Sequence, residues 1–378
     1  MKASSHSKNR APSVNEQHKW IAATLTFIMI LSYIIRWEQS ESIVNLAVIY
    51  VFSPQDNSSL SNLQYFVRNG IKSRHGRTQA FFFIILQGVE NISSLPTLPR
   101  EAKYIPHQNI CYDWGTLGWF LFQSGLIDQN QFDYFVFINS SVRGPFLPSY
   151  VKQSWLDIML SLISPVVKLA GPTISCESTG QSIGRIAQNP HVQSYAMITD
   201  HTGLSTMFSA GVFTCRNDRW RTIFYGELLS SRSVLDAGYT IDSVMMRYRG
   251  IDWHDKLVWK CNGGISPLNS HSLDGTTASP LDVMFVKVKD ALIENEVSSA
   301  VLAVKYDQWS LPQSPSTTVR NDLDKLKVKL IKRLKNQGSA CFDSAFYLQE
   351  NFFKRRISAF DHFVHFGQFE GRRFRYSC

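Results

Sequence analysis

The sequence is short of the patterns that announce a chemistry on their own. Its six cysteines are Cys111, Cys176, Cys215, Cys261, Cys341 and Cys378, and no two stand at Cys-x-x-Cys spacing. A zinc site built on paired cysteines is therefore not expected. There is no zinc-finger spacing, no aromatic RNA-binding signature and no glycine-rich phosphate loop. Without these, the net charge of +9, from 39 basic and 30 acidic residues, is not read as a nucleic-acid interface. The basic excess is densest towards the ends, in "LDKLKVKLIKRLK" and "NFFKRRI", which suits anionic surroundings of another kind.

Uncharged apolar runs are also scarce, and one is long. Residues 20–37, "WIAATLTFIMILSYIIRW", carry no charge before Arg36 and have a tryptophan at each edge. That length approaches the roughly 20 residues needed to cross a bilayer core. No small-residue cleavage site follows, so the segment is expected to be a retained anchor rather than a signal peptide. Lys2, Lys8, Arg10 and Lys19 precede it and place residues 1–19 in the cytosol. Residues 38–43 then form a stem, and the rest of the chain is expected in the lumen of the ER or Golgi as a single-pass type II protein. An oxidising lumen permits disulfides, and six cysteines allow fifteen full pairings among which spacing does not choose. The sequons at Asn57 and Asn91 fit lumenal glycosylation in surface loops, or plain loop chemistry.

Beyond the stem, hydrophobic runs alternate with helical patterns. Residues 44–53, 79–88 and 133–139 read as buried strands, with helices expected over 60–71 and within 114–126. This rhythm predicts a mostly parallel sheet with helices on both faces, whose ligand site lies at the carboxyl ends of the strands. Further on, 155–164 reads as a helix, 166–176 as a strand and turn, and 194–200 as a strand ending on Asp200. Apolar spacing over 225–250, broken at Ala237-Gly238, predicts two helices joined by a glycine turn. Residues 44–310 form the main domain. Residues 311–338 comprise a linker and a basic helix, either solvated or in contact with anionic lipid or glycan. Residues 339–378 form a small helical module.

The segments "CYDWGTLGWFL", "YFVFINSSVRGPFLP", "NPHVQSYAMITD", "GELLSSRSVLDAGYTI" and "SPLDVMFVK" together resemble the lumenal glycosyltransferase-like proteins of algae and plants, themselves similar to bacterial rhamnan synthesis protein F. The tail "HFVHFGQFEGR" separately resembles a short module found beside bacterial polysaccharide glycosyltransferases. The resemblance implies an α/β GT-A-like nucleotide-sugar domain behind the anchor. It also implies transfer of a sugar from a nucleotide sugar to a polysaccharide or glycan acceptor.

Many GT-A enzymes hold the donor diphosphate through a divalent metal on an Asp-x-Asp motif. The corresponding stretch here is Asn139-Ser140-Ser141, so a metal is not expected. On the same resemblance Asn139 and Ser140 contact the donor, or else only form a turn; Arg143 supplies positive charge to a phosphate. Asp113 holds the donor or caps the following helix. Glu227 is the catalytic base or a first-turn charge on a helix. His191 and Gln193 line the acceptor side, with Asp200 a further strand-end ligand. The residues Asp252, His254 and Asp255 of "DWHD" are read as an exposed loop rather than a metal site. Two other functions stay open: a glycan-binding scaffold with the same fold, and a lumenal sulfotransferase. The latter lacks the strand-to-helix loop with a lysine that its cofactor phosphates require.

Overall fold

In the computed structural model, which describes residues 43–71, 74–75, 78–177, 190–310, 320–350, 358–368 and 374–377, the first strand after the stem is the centre of the sheet. β1 (Val44–Phe52) is buried along seven consecutive residues, as a parallel strand covered on both faces must be. The other strands are β2 (Arg74–His75), β3 (Thr78–Gln87), β4 (Ala102–His107), β5 (Tyr134–Asn139), β6 (Val142–Arg143), β7 (Val167–Gly171), β8 (Ile174–Ser175), β9 (His191–Val192), β10 (Ala196–Asp200), β11 (Thr240–Ser243) and β12 (Val286–Lys287). The main sheet runs β11-β7-β10-β5-β1-β3, with β2 and β4 both on the outer edge of β3. The pairs β1–β3, β1–β5, β3–β4 and β7–β11 are parallel, whereas β10 is antiparallel to both its neighbours, β5 and β7. The β6–β12 and β8–β9 pairs are separate two-stranded ribbons.

Consecutive residues of a strand face opposite sides of a sheet. Phe82 and Phe83 use that alternation to hold one helix each. Phe82 meets Phe66 of α1 (Asn57–Asn69), with ring centroids 6.2 Å apart. Phe83 meets Phe120 of α2 (Tyr112–Phe122) at 5.2 Å. α1 begins where the Asp56 carboxylate accepts the Ser59 N–H, and α3 (Trp155–Leu160) begins on a capping box between Ser154 and Asp157. α4 (His201–Ser209) starts on Asp200, whose side chain accepts the Gly203 N–H. A longer helical stretch follows as α5 (Arg219–Thr222), a π-turn over Ile223–Leu228, and α6 (Leu229–Asp236). α7 (Ser298–Ser310) closes the main core with Ala300, Ala303 and Val304.

Among the described residues, no helix is long and apolar enough to cross a membrane; the expected anchor at 20–37 lies outside those residues. Of the glycosylation sites, Asn91 is exposed at the start of a short 3-10 turn, whereas Asn57 opens α1 and its side chain donates to Asp290. A second apolar cluster gathers Cys341, Phe342, Tyr347, Phe363 and Phe374 with Leu330, Ile331 and Leu334 from α8 (Arg320–Gln337). The basic helix thus shares its apolar side with the tail module.

One expected helix is a strand. After α6 the chain turns at Gly238 with φ +83°, a left-handed helix stop, and Thr240–Ser243 then pairs in parallel with β7. Ile241, Val244, Met245 and Tyr248 fall at helical spacing, but ladder bonds to β7 outweigh that pattern.

α2 lies unusually close to the chain that precedes α5. A Cβ on Gly115 would stand 2.9 Å from the Cα of Cys215, and one on Gly118 2.2 Å from the Phe213 carbonyl oxygen. Both obstacles are backbone. Gly118→Ala should therefore lower stability by about 1–3 kcal/mol or more, seen as a lower midpoint in denaturant titration of the full chain. An unchanged midpoint would contradict this contact.

Candidate functional site

From β1 the chain proceeds to β3 and β4 on one side, while β5 pairs on the other. The carboxyl ends of β1 and β5 therefore flank a crevice where the strand order reverses, the place at which open α/β sheets bind ligands. Asn139 ends β5 there. Its Oδ1 accepts from the N–H (3.1 Å) and hydroxyl (2.6 Å) of Ser141, which closes an Asx turn. That leaves Nδ2 free to donate 2.8 Å to Oδ2 of Asp113. Turn-forming and polar contact are thus two halves of one amide.

Asp113 is held by a strained entry to α2. Cys111 (φ 68°) and Tyr112 (φ 50°) are both left-handed, a conformation that costs side-chain-bearing residues on the order of 1–3 kcal/mol each. The Cys111–Cys215 disulfide, with Cα atoms 4.7 Å apart, and a bond from the Cys111 N–H to Asn217 keep the turn in place. Asp113 does not cap the helix. The N-cap is Cys111, which makes no side-chain cap bond. Burial pushes the Asp113 carboxyl up to about 6; Asn139, Lys289 and Lys287 pull it down, and Glu227 pushes it up.

Glu227 belongs to the π-turn, a form of helix concentrated at functional sites. Its neighbour Gly226 lies against Trp114, where a Cβ would be 2.4 Å from Cδ1 of the indole. The Trp114–Gly226 contact links Asp113 and Glu227 through their adjacent residues. Among the described residues no hydrogen bond or ion pair engages the Glu227 carboxylate, and its charge acts on both Asp113 and Tyr195.

Tyr195 forms the floor. Its carbonyl accepts from Asn139 N–H at 3.0 Å, and its hydroxyl lies 2.6 Å from Thr173 Oγ1, which donates to Gln193 Oε1 at 2.7 Å. Gln193 thus supports the crevice from below. His191 is buried in the β8–β9 ribbon, opposite Ser175.

Three expected contacts are not brought to this crevice. Ser140 is buried, donating to Ser53 O and accepting from Ser53 N–H, so it fastens the end of β5 to the end of β1. Arg143 faces inward, bonded to Asn62 Oδ1 (3.0 Å), Ser61 Oγ (2.5 Å) and Asp307 Oδ2 (3.2 Å). Its charge answers a carboxylate within the fold. Asp200 lies at the other end of the sheet: β10 is reversed, so Asp200 stands beside Tyr134 at the start of β5, about 17 Å of strand from Asn139. There it pairs with Lys168 at 2.6 Å and caps α4. In "DWHD", Asp252 accepts from His254 N–H and Asp255 from Leu257 N–H, in exposed turns. Among the described residues no three His, Cys, Asp or Glu side chains group to hold a metal ion. At the end of β5 the Asn139 amide, two serine hydroxyls and the single Asp113 carboxyl fall short of the carboxylate-rich oxygen cage that a hard divalent cation takes.

Lys287 and Lys289 are not among the residues that the sequence motifs mark for a site. In the extended run Val286–Lys289, Val286 and Val288 are fully buried while the two lysines occupy the other face. The alternation "VKVK" was the available signal. Lys287 Nζ lies 5.8 Å from the centre of the Tyr195 ring, and Lys289 Nζ donates 3.2 Å to Gln55 beyond β1.

The chain matches no protein-family model, and no curated protein is significantly similar to it.

A cavity of about 730 Å³ lies at the amino ends of β1 and β3 and is lined by Phe81, Lys103, Leu126 and Phe132. The perturbed carboxyl and the convergent polar groups are at the opposite end, and chemistry rather than size locates the site.

The Asp113 carboxyl titrates near 6 when folded and near 3.8 otherwise. Its ionisation therefore costs nothing below pH 3.8 and up to about 3 kcal/mol above pH 6. Asp113→Asn removes that cost. Its melting temperature minus that of the wild type should rise from pH 4 to pH 6.5 and then level off; a difference independent of pH would contradict the buried, charge-penalised carboxyl.

Proposed function

We propose that the chain is a glycosyltransferase of GT-A-like fold that moves a sugar from a nucleotide sugar to a polysaccharide or glycan acceptor. It works as a type II protein of the ER or Golgi, anchored through residues 20–37. The observation that carries this reading is the Asn139–Asp113 hydrogen bond at the switch point, with Glu227 presented on the adjacent π-turn. A mixed α/β sheet with its crevice between β1 and β5 is compatible with such a domain. The Cys111–Cys215 and Cys176–Cys261 disulfides, with no free cysteine among the described residues, fit an oxidising compartment.

In this mechanism Asp113, oriented by Asn139, accepts a hydroxyl of the donor. Glu227 takes the proton of the acceptor hydroxyl as that oxygen bonds to the anomeric carbon. The bond from that carbon to the nucleoside diphosphate breaks, and its electron pair leaves with the diphosphate. The anomeric configuration inverts. A carboxylate with no partner among the described residues is suited to accept that proton, because no hydrogen bond has to be surrendered first.

Glu227→Gln keeps the shape and removes the base. The full chain carrying it should bind donor as the wild type does, measured by thermal shift, and turn over roughly a hundredfold or more slowly. Normal turnover by this variant would overturn the assignment of Glu227. A wild type that binds nucleotide sugars and transfers none would favour a glycan-binding scaffold.

A further inference from the structure

A departing diphosphate carries concentrated negative charge, and something in the crevice has to meet it. Helix N-termini often do so. Here that route is closed: the N-terminus of α1, directly after β1, is filled by two of the protein's own carboxylates. Asp56 accepts from Ser59 N–H, and Asp290 accepts from the N–H groups of both Asn57 and Ser58.

The strap that contributes Asp290 also contributes cations. It is fixed at both ends of the crevice. Val288 N–H donates to Ser141 O, and Asn62 Nδ2 donates to both Ser140 O and Val288 O, so the strap crosses just beside the end of β5. Pinning Val288 into the core leaves Lys287 on the Tyr195 side and Lys289 on the Gln55 side, one near each strand of the switch point. Among the described residues neither lysine is in an ion pair, and neither is Arg219 at the start of α5. Burial, and then the like charges of Lys287 and Arg219, disfavour the charge on Lys289, whereas the Asp56 and Asp113 carboxylates favour it. Like charges gathered without a direct ion pair are relieved when a further anion joins them.

Resting on the transferase reading above, we propose that Lys287, Lys289 and Arg219 form a binding site for the diphosphate of a nucleoside diphosphate, with side-chain cations neutralising its charge. Two lysines at i and i+2 on one face of an extended run bracket the crevice, and the arginine stands at the start of the helix that leads to Glu227. The leaving group is then held at the mouth between β1 and β5, and Asp113 faces the sugar end of the donor.

The test is a thermal-shift titration of the purified full chain in EDTA with inorganic pyrophosphate, UDP and GDP. The wild type should be stabilised by pyrophosphate and by at least one of the nucleotides, with an effect that shrinks as salt is raised. Lys287→Met/Lys289→Met should weaken pyrophosphate roughly tenfold or more, the loss expected for charge-assisted bonds. Lys287→Arg/Lys289→Arg should retain most of it. Arg219→Met, at an exposed position, folds independently of the strap and should weaken binding in the same direction. Wild-type affinity in the Met variants, or stabilisation of the wild type only when a divalent metal is added, would overturn the proposal. The two readings separate cleanly. Lysine-dependent pyrophosphate binding without transfer of any nucleotide sugar keeps the anion site and removes the transferase; transfer unaffected by the lysine substitutions does the reverse.

Discussion

The site depends on one close approach of two backbones. Gly115 and Gly118, three residues apart on one side of α2, let the chain at 213–215 come to distances that any side chain would forbid. The Cys111–Cys215 disulfide fastens the same seam from its end. Gly226 continues it by admitting the Trp114 indole beside the π-turn. Asp113 and Glu227 are each one residue from a member of this seam, so their separation is set by packing rather than by loops. Contacts of this kind are rigid because interiors are close-packed and shift only at a cost.

A second constraint acts from the opposite wall. Asn62, fully buried on α1, holds the carbonyls of Ser140 and Val288 with its amide nitrogen and receives Arg143 on its oxygen. One side chain thus joins α1, the turn after β5 and the strap. Arg143 in turn reaches Asp307 of α7, which also meets Arg68 of α1. Asn62 and Arg143 are buried and satisfied, the condition under which a polar network fixes a single arrangement instead of destabilising it. The crevice therefore has two prepared walls, one apolar and glycine-lined, one hydrogen-bonded, with Tyr195 between them.

Much of this architecture can be read in the chain. Buried parallel strands are continuous apolar runs, so 44–53, 79–88 and 133–139 are recognisable, and with them the carboxyl end of β5 beside β1. Direction is a different matter. The run ending on Asp200 reads the same whether its strand is parallel or reversed, and reversal moved Asp200 to the far end of the sheet. Residues 241–248 carry a helical spacing that the neighbouring strand overrides. Ser140 and Arg143 have the right polarity for a site, but their partners, Ser53, Asn62 and Asp307, are up to 164 residues distant and invisible to local pattern. Lys287 and Lys289 show the converse: an alternation of valine and lysine marks a strand with one wet face, and only topology says that the wet face looks into the crevice. The cysteine pairing was open among fifteen possibilities until the fold brought Cys111 to Cys215 and Cys176 to Cys261.

The account makes the end of β5 a donor-binding position and not merely a well-formed turn. The direct measurement is calorimetric titration of the full chain with a panel of nucleotide sugars, for the wild type and for Asn139→Ala. The account predicts that at least one nucleotide sugar binds the wild type with a defined stoichiometry, and that Asn139→Ala, still folded, binds it at least tenfold more weakly, as expected when both an Asx turn and the orientation of a carboxylate are lost. Equal binding by the two proteins, or no binding of any nucleotide sugar to the wild type, would contradict it.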